Sequence, residues 1–243
     1  MKPIDLADRR EHRLMPADQQ PSHTGKDVMK AWRSAEQQAL SELGFRKADT
    51  DEYACTVDEA DDWMGQLMLF KRAAGRGVAT VRLDPVGFSL THMPTEELLG
   101  RLTGSGPEAA RHSTMVGSRT KVLPADLKRE LDNLWLDDPA RAPEVTAVVT
   151  AAVESKILPW MRANADVPRL LDALRVPQNN PGFEAKRLER LAALQFLLGD
   201  TSTAAAALRQ FEDFCCDTGI PAVDGPSRQF LENFRAALRI SPV

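Results

Sequence analysis

The apolar residues of this chain change period part-way along it. From about Gly44 to Leu123 they mostly alternate, as strands do. From about Pro143 to Ile240 they recur every three to four residues, as helices do. Two kinds of structure laid end to end predict an α+β fold: an N-terminal helix plus a mainly antiparallel sheet, followed by a C-terminal helical bundle. Residues 1–23, which mix charges, prolines and glutamines with little periodicity, read as a mobile tail. Residues 24–138 then form the α+β region, and residues 139–243 a helical region packed on it.

Local signals place the elements. Thr24 followed by Asp27 has the spacing of a capping arrangement. Val28, Trp32, Ala35, Ala39 and Leu43 share one helical face, and Gly44 stands where a C-terminal cap belongs. Strands are expected over 45–48, 53–57, 63–72 and 78–90. In the last of these the inward parity switches at Asp84-Pro85, and a bulge or bend there would keep one face inward. A short helix opens at Thr95, and residues 113–122 predict a fifth strand. In the second half, Pro159 interrupts the helical stripe that begins at Val145. The short connector Gly199–Ser202 makes two long helices antiparallel, with Leu198 and Leu208 expected to close the hairpin. Phe230, Leu231, Phe234 and Leu238 supply a last helix.

Composition narrows the function classes. Hydrophobic residues at 43% and charged residues at 27% are ordinary for a globular protein of 243 residues. A formal net charge of −4 argues against a general nucleic-acid binder, whose footprint is basic. No stretch approaches the roughly 20 apolar residues that span a bilayer, and the first residues lack the apolar run of a secretory signal. Cys55, Cys215 and Cys216 are an odd set with two adjacent members, which fits reduced thiols in a cytoplasm better than a disulfide framework.

Residue types that carry chemistry are present without the spacing that chemistry needs. His12, His23, His92 and His112 show neither the i, i+4 nor the His-x-His spacing of a metal site, so neither metal nor cofactor is expected. Gly104-x-Gly106 follows a helix and lacks the third glycine and the lysine of a phosphate loop. His112-Ser113 and Gly117-Ser118 have no G-x-S-x-G context, and Asp84 as a catalytic acid is a sharper alternative to a strand bend. Trp32 and Trp63 are expected in the core; Trp160 beside Pro159 is expected there too, with the lining of a groove as its alternative.

One charge cluster stands out. Asp49, Asp51, Glu52, Asp58, Glu59, Asp61 and Asp62 follow one another with no base among them. They fall mostly in two consecutive turns, which a shared strand would point to opposite ends. They either solvate hairpin tips or offer a surface to a basic partner, where complementary charge speeds association.

Leu43-Gly44-Phe45, Trp63-Met64-Gly65, Asp84-Pro85-Val86-Gly87 and Ile157-Leu158-Pro159-Trp160-Met161 form an ordered series. Over about residues 28–200 it resembles a group of uncharacterised bacterial proteins thought to include immunity proteins of polymorphic toxins. The resemblance implies a non-catalytic protein that neutralises a bacterial toxin by direct binding, with a basic toxin domain as partner and the acidic turns as contact. It carries over no catalytic residue. A hydrolase or transferase with a dispersed site and a helical adaptor are the readings from other classes.

Overall fold

The computed structural model describes residues 23–60, 62–73, 79–105, 115–218 and 226–240. Helix α1 (Gly25–Glu42) opens on a complete capping box: Asp27 N–H donates to Thr24 Oγ1, and Thr24 N–H donates to an Asp27 carboxylate oxygen at 2.9 Å. It buries Val28, Trp32, Glu36 and Leu40, so a glutamate occupies the face that the apolar spacing assigned to Ala35 and Ala39. Gly44, at φ +84°, turns the chain where a side chain would be strained.

Strands β1 (Arg46–Asp49), β2 (Glu52–Thr56) and β3 (Trp63–Met68) follow, then β4 (Lys71–Ala73), β5 (Val81–Leu83) and β6 (Gly87–His92). Helix α2 (Met93–Thr103), the short strand β7 (Met115–Val116), helices α3 (Arg119–Val122) and α4 (Ala125–Asp132) and strand β8 (Trp135–Leu136) complete the first half. Two antiparallel sheets result, in the orders β1-β2-β3-β6-β7 and β4-β5-β8.

The expected strands 63–72 and 78–90 are therefore each two strands, one in each sheet. Both runs change sheet at the same corner, where Asp84 N–H donates to Phe70 O at 2.8 Å. Pro85 has no N–H to offer a ladder, so the chain leaves β5 here and re-enters the larger sheet as β6. The parity switch at Asp84-Pro85 is this crossing, not a bulge within one strand. The expected strand over 113–122 shrinks to β7 and then coils into α3, and residues 113 and 114 lie outside the described residues. Gly117 sits so close to the Phe88 ring that a Cβ there would meet it at 1.9 Å.

Among the described residues the second half is built of helices joined by short connections. Helix α5 (Ala142–Ala152) passes through one π turn, Val153–Ile157, into α6 (Leu158–Asn164). Leu158 N–H reaches back five residues to Val153 O, so the ladder is rearranged before Pro159, which sits in the first turn of α6. Helices α7 (Val167–Arg175), α8 (Pro181–Leu197), α9 (Thr201–Thr218) and α10 (Pro226–Ile240) follow. Helix α5 packs on α1, while α2 packs on α8 and α10, so the strand-bearing and helical halves share one hydrophobic core. Trp32 and Trp63 are buried in it, and Trp160 is half-buried with its ring edge against Phe88 at 5.2 Å. Among the described residues no helix is long and apolar enough to cross a membrane.

Candidate functional site

The acidic run separates into three environments. Asp49 and Glu52 are exposed at one end of β2, while Asp58, Glu59 and Asp62 lie at the other. Five residues of strand hold these ends roughly 17 Å apart. Asp61 lies outside the described residues. Asp51 points inward and is buried. It is part of the molecule's scaffold, not of a surface for a partner. Alternation accounts for this: in β2 and the residue before it, Asp51, Tyr53 and Cys55 share the inner face.

Asp51 meets a charge relay that runs from the surface into the core. Arg33 of α1 donates from Nε and Nη2 to the two Asp51 carboxylate oxygens, both at 2.9 Å. Lys71 Nζ reaches Asp51 at 3.4 Å, Glu36 at 2.6 Å and the Leu69 carbonyl at 2.8 Å. Tyr53 Oη donates to Glu36 at 3.2 Å. The side chains of Lys71 and Glu36 are 0% exposed. Burial raises the Glu36 carboxyl above its ordinary range even against the Lys71 charge, and burial followed by the Glu36 charge raises the Tyr53 phenol. Burial pushes Asp51 upward too, but the Arg33 hydrogen bonds and Lys71 outweigh it and hold that carboxyl below its usual range. Lysine, glutamate and tyrosine in one cluster resemble an acid–base set. Here they bond one another behind a closed surface, which makes them a brace between α1 and the sheet corner.

The turn at the other end of β2 is organised by its backbone. Asp58 accepts from Trp63 N–H at 3.0 Å, the Asp62 carbonyl accepts from Met93 N–H at 2.8 Å, and Glu59 and Asp62 keep exposed side chains. Behind this turn the His92 ring lies 4.8 Å from that of Trp63, and its Nδ1 is 2.7 Å from Thr95 Oγ1. Burial lowers the His92 pKa, against the opposing charges of Asp62 and Asp58. Among the described residues Glu59 and Asp62 enter no ion pair, so their charge faces outward.

A second surface was not foreseen from the residues. On the outer face of the small sheet, Arg72 of β4 stands opposite Arg82 of β5, and Arg82 opposite Trp135 of β8. Phe70, two residues before Arg72, lies on the same side. Trp135 is 66% exposed and Phe70 46%. Asp84 bonds Arg72 at 2.6 Å, and Arg82 donates to the Asp132 carbonyl at 3.1 Å, so both guanidinium groups are held in place. Asp84 is thereby a surface ion-pair partner. The signal in the sequence was faint, because the row joins positions 72, 82 and 135, which only the sheet register brings together.

The remaining candidates are placed simply. Cys55 and Cys215 are buried, with burial raising the Cys55 thiol to about 11, and Cys216 is exposed. Gly106 and the His112-Ser113 pair lie outside the described residues. The four motifs of the resemblance mark joints of the fold: the end of α1, strand β3, the sheet-to-sheet crossing, and the π turn entering α6. Two of them touch, since a Cβ on Gly65 would lie only 2.7 Å from Met161 Sδ. No family model, no curated protein and no solved structure matches this chain, and the resemblance stands on those residues alone.

Proposed function

We propose that this chain is a non-catalytic protein-binding protein that contacts its partner through the outer face of the small sheet. The observation that carries the proposal is the row of Phe70, Arg72, Arg82 and Trp135, two large aromatic side chains left in solvent beside two braced arginines. Aromatic residues and arginine are the types that dominate binding energy at protein interfaces. A tryptophan that is 66% exposed leaves most of its apolar ring in water, area that a partner would cover. The acidic turns serve the same function differently. Asp49 and Glu52 at one end of β2, with Asp58, Glu59 and Asp62 at the other, give a field that steers a basic partner without fixing the complex.

In the specific form that the sequence resemblance suggests, the protein is an immunity protein and the partner a basic bacterial toxin domain, neutralised by direct binding. The test is affinity capture from the native cell with wild-type bait and with a Phe70→Ala, Trp135→Ala double variant, followed by mass spectrometry. A stoichiometric polypeptide held by the wild type and lost from the variant supports the proposal. Equal capture by both baits overturns it. With that partner in hand, Glu59→Lys with Asp62→Lys should slow association and leave dissociation nearly unchanged.

A further inference from the structure

The exposed end of the charge relay opens onto a groove of about 430 Å³ between α1 and β1. Lys26, Lys30, Arg33, Ser34 and Gln37 line one side, and Lys47 of β1 lines the other. We propose that this groove binds a small molecule carrying a chain of phosphate groups, and that Arg33 is its fixed recognition point.

Charge supports this first. The relay is neutral in itself, with Arg33 and Lys71 set against Asp51 and Glu36. Lys26, Lys30 and Lys47 are therefore surplus, and among the described residues they enter no ion pair. Two carboxylates lie close in sequence and keep their charge: Asp27, which accepts from Thr24 and attracts Lys30, and Asp49, which accepts from the Thr50 N–H. A chain of net charge −4 thus gathers three lysines and Arg33 around one concavity, with Asp27 offsetting part of their charge.

Geometry supports it second. The side-on pair with Asp51 uses Nε and Nη2 of Arg33 and leaves Nη1 for another acceptor. Asp51 is held from behind by Lys71, and Lys71 by Glu36, so the 30%-exposed guanidinium cannot turn freely. A planar donor whose orientation is set before binding loses little freedom when a phosphate arrives. Ser34 and Gln37 add neutral donors.

Size decides the class of ligand. From Lys26 to Arg33 the helix rises roughly 10 Å, longer than one phosphate and comparable with three in a row. The groove is open to solvent along its length, and its volume is enough for a small polyanion. A nucleic-acid backbone would continue past the groove onto Asp49 and Glu52, where like charge opposes it.

The test is calorimetric titration of the full chain with sodium tripolyphosphate, with orthophosphate and a single-stranded oligonucleotide in parallel. Tripolyphosphate should bind at one site, orthophosphate at least about tenfold more weakly, and the oligonucleotide no better than orthophosphate. Lys30→Ala with Lys47→Ala, both surface changes that leave the relay intact, should weaken binding about tenfold or more. Arg33→Lys keeps the charge and loses the planar donor, and it should weaken binding about as much. The Phe70→Ala, Trp135→Ala variant should bind tripolyphosphate like the wild type, which separates this groove from the protein-binding face. No saturable binding up to about 1 mM, affinity unchanged in the double lysine variant, or tighter binding of the oligonucleotide would each overturn the proposal.

Discussion

The two ends of this molecule are held together by opposite means. Where α1 meets the sheet corner, the contact is ionic: Glu36, Asp51 and Lys71 lie inside, with Trp32 beside them and the Lys71 ammonium 5.9 Å from its ring centre. Where α8, α9 and α10 meet, the contact is aromatic. Phe230 stacks on Phe234 at 5.4 Å, with Phe211 edge-on to the first and Phe196 edge-on to the second. Burying ions costs their hydration, and a well-placed pair does little more than offset it. Burying phenylalanine is favourable outright, by roughly 1.5–3 kcal/mol each, with further gain from ring geometry. The aromatic end therefore supplies stability, whereas the ionic end supplies position. What it positions is Arg33, the most exposed of the four charged side chains in the relay.

The largest effects test that contrast directly. Lys71→Met should cost about 3–5 kcal/mol, because Glu36 loses its counter-charge in the core and must either stay ionised there or take up a proton. Adding Glu36→Leu should restore most of the loss, since the uncompensated charge leaves with it. Phe234→Ala should also cost about 3–5 kcal/mol, and Leu208→Ala about 2–5, with no second substitution that restores either. Urea denaturation of the four variants measures all of this. If Lys71→Met with Glu36→Leu is no more stable than Lys71→Met alone, the ionic end contributes net stability and the contrast fails.

A smaller effect lies in the helical half, where one carboxyl is out of keeping with its surroundings. Burial raises Glu189 of α8 to about 7, against the attraction of Arg190, while Arg190 itself is taken by Glu96 of α2 at 2.6 Å. Its folded pKa stands above its unfolded value, so the folded state holds a proton that the unfolded state has released. Stability should then fall as pH rises from about 4.5 to about 7, and level off above. Glu189→Gln should flatten that fall and stabilise the protein at pH 8 by about 1–3 kcal/mol, with no effect at pH 4. Thermal denaturation of both proteins across this range decides it. Parallel curves would show that Glu189 ionises normally.

Much of the fold was legible because its signals are local. The capping box at Thr24, the left-handed Gly44 and the stripes of α8 and α9 each depend on residues within a turn or two of one another. The sheet-to-sheet crossing at Asp84-Pro85 left a mark as well, a change of parity, but parity cannot tell a bulge from a strand that joins a second sheet. The interior relay was not legible. Lys71 is 35 residues from Glu36 and 20 from Asp51, and a lysine between Phe70 and Arg72 reads as a surface charge. Asp51 was grouped with six other acids by proximity in sequence, and the pleat of β2 removed it from them. The rows at 72, 82 and 135 and the groove of Lys26, Lys30 and Lys47 share this character, since each is assembled by register and packing from residues ordinary in isolation.

The smallest expected effect comes from a position where local period misleads. Leu188, Leu191, Gln195 and Leu198 keep one helical spacing, and the first three are buried. Leu198 is 51% exposed. It is the cap of α8: its N–H still donates to Leu194 O at 3.0 Å, but Gly199 at φ +79° then reverses the chain. Asp200 N–H closes the turn on Gln195 O at 3.0 Å, and α9 begins at Thr201. No described element covers that end of the stripe, and Leu197 beside it is 40% exposed as well. The hairpin is closed from one side only, by Leu208, which is buried. Leu198→Ala should therefore change stability by no more than about 0.5 kcal/mol, the ordinary range for a surface substitution. A loss above about 2 kcal/mol in chemical denaturation would mean that Leu198 packs inward in solution, and that the turn at Gly199 is tighter than the structure has it.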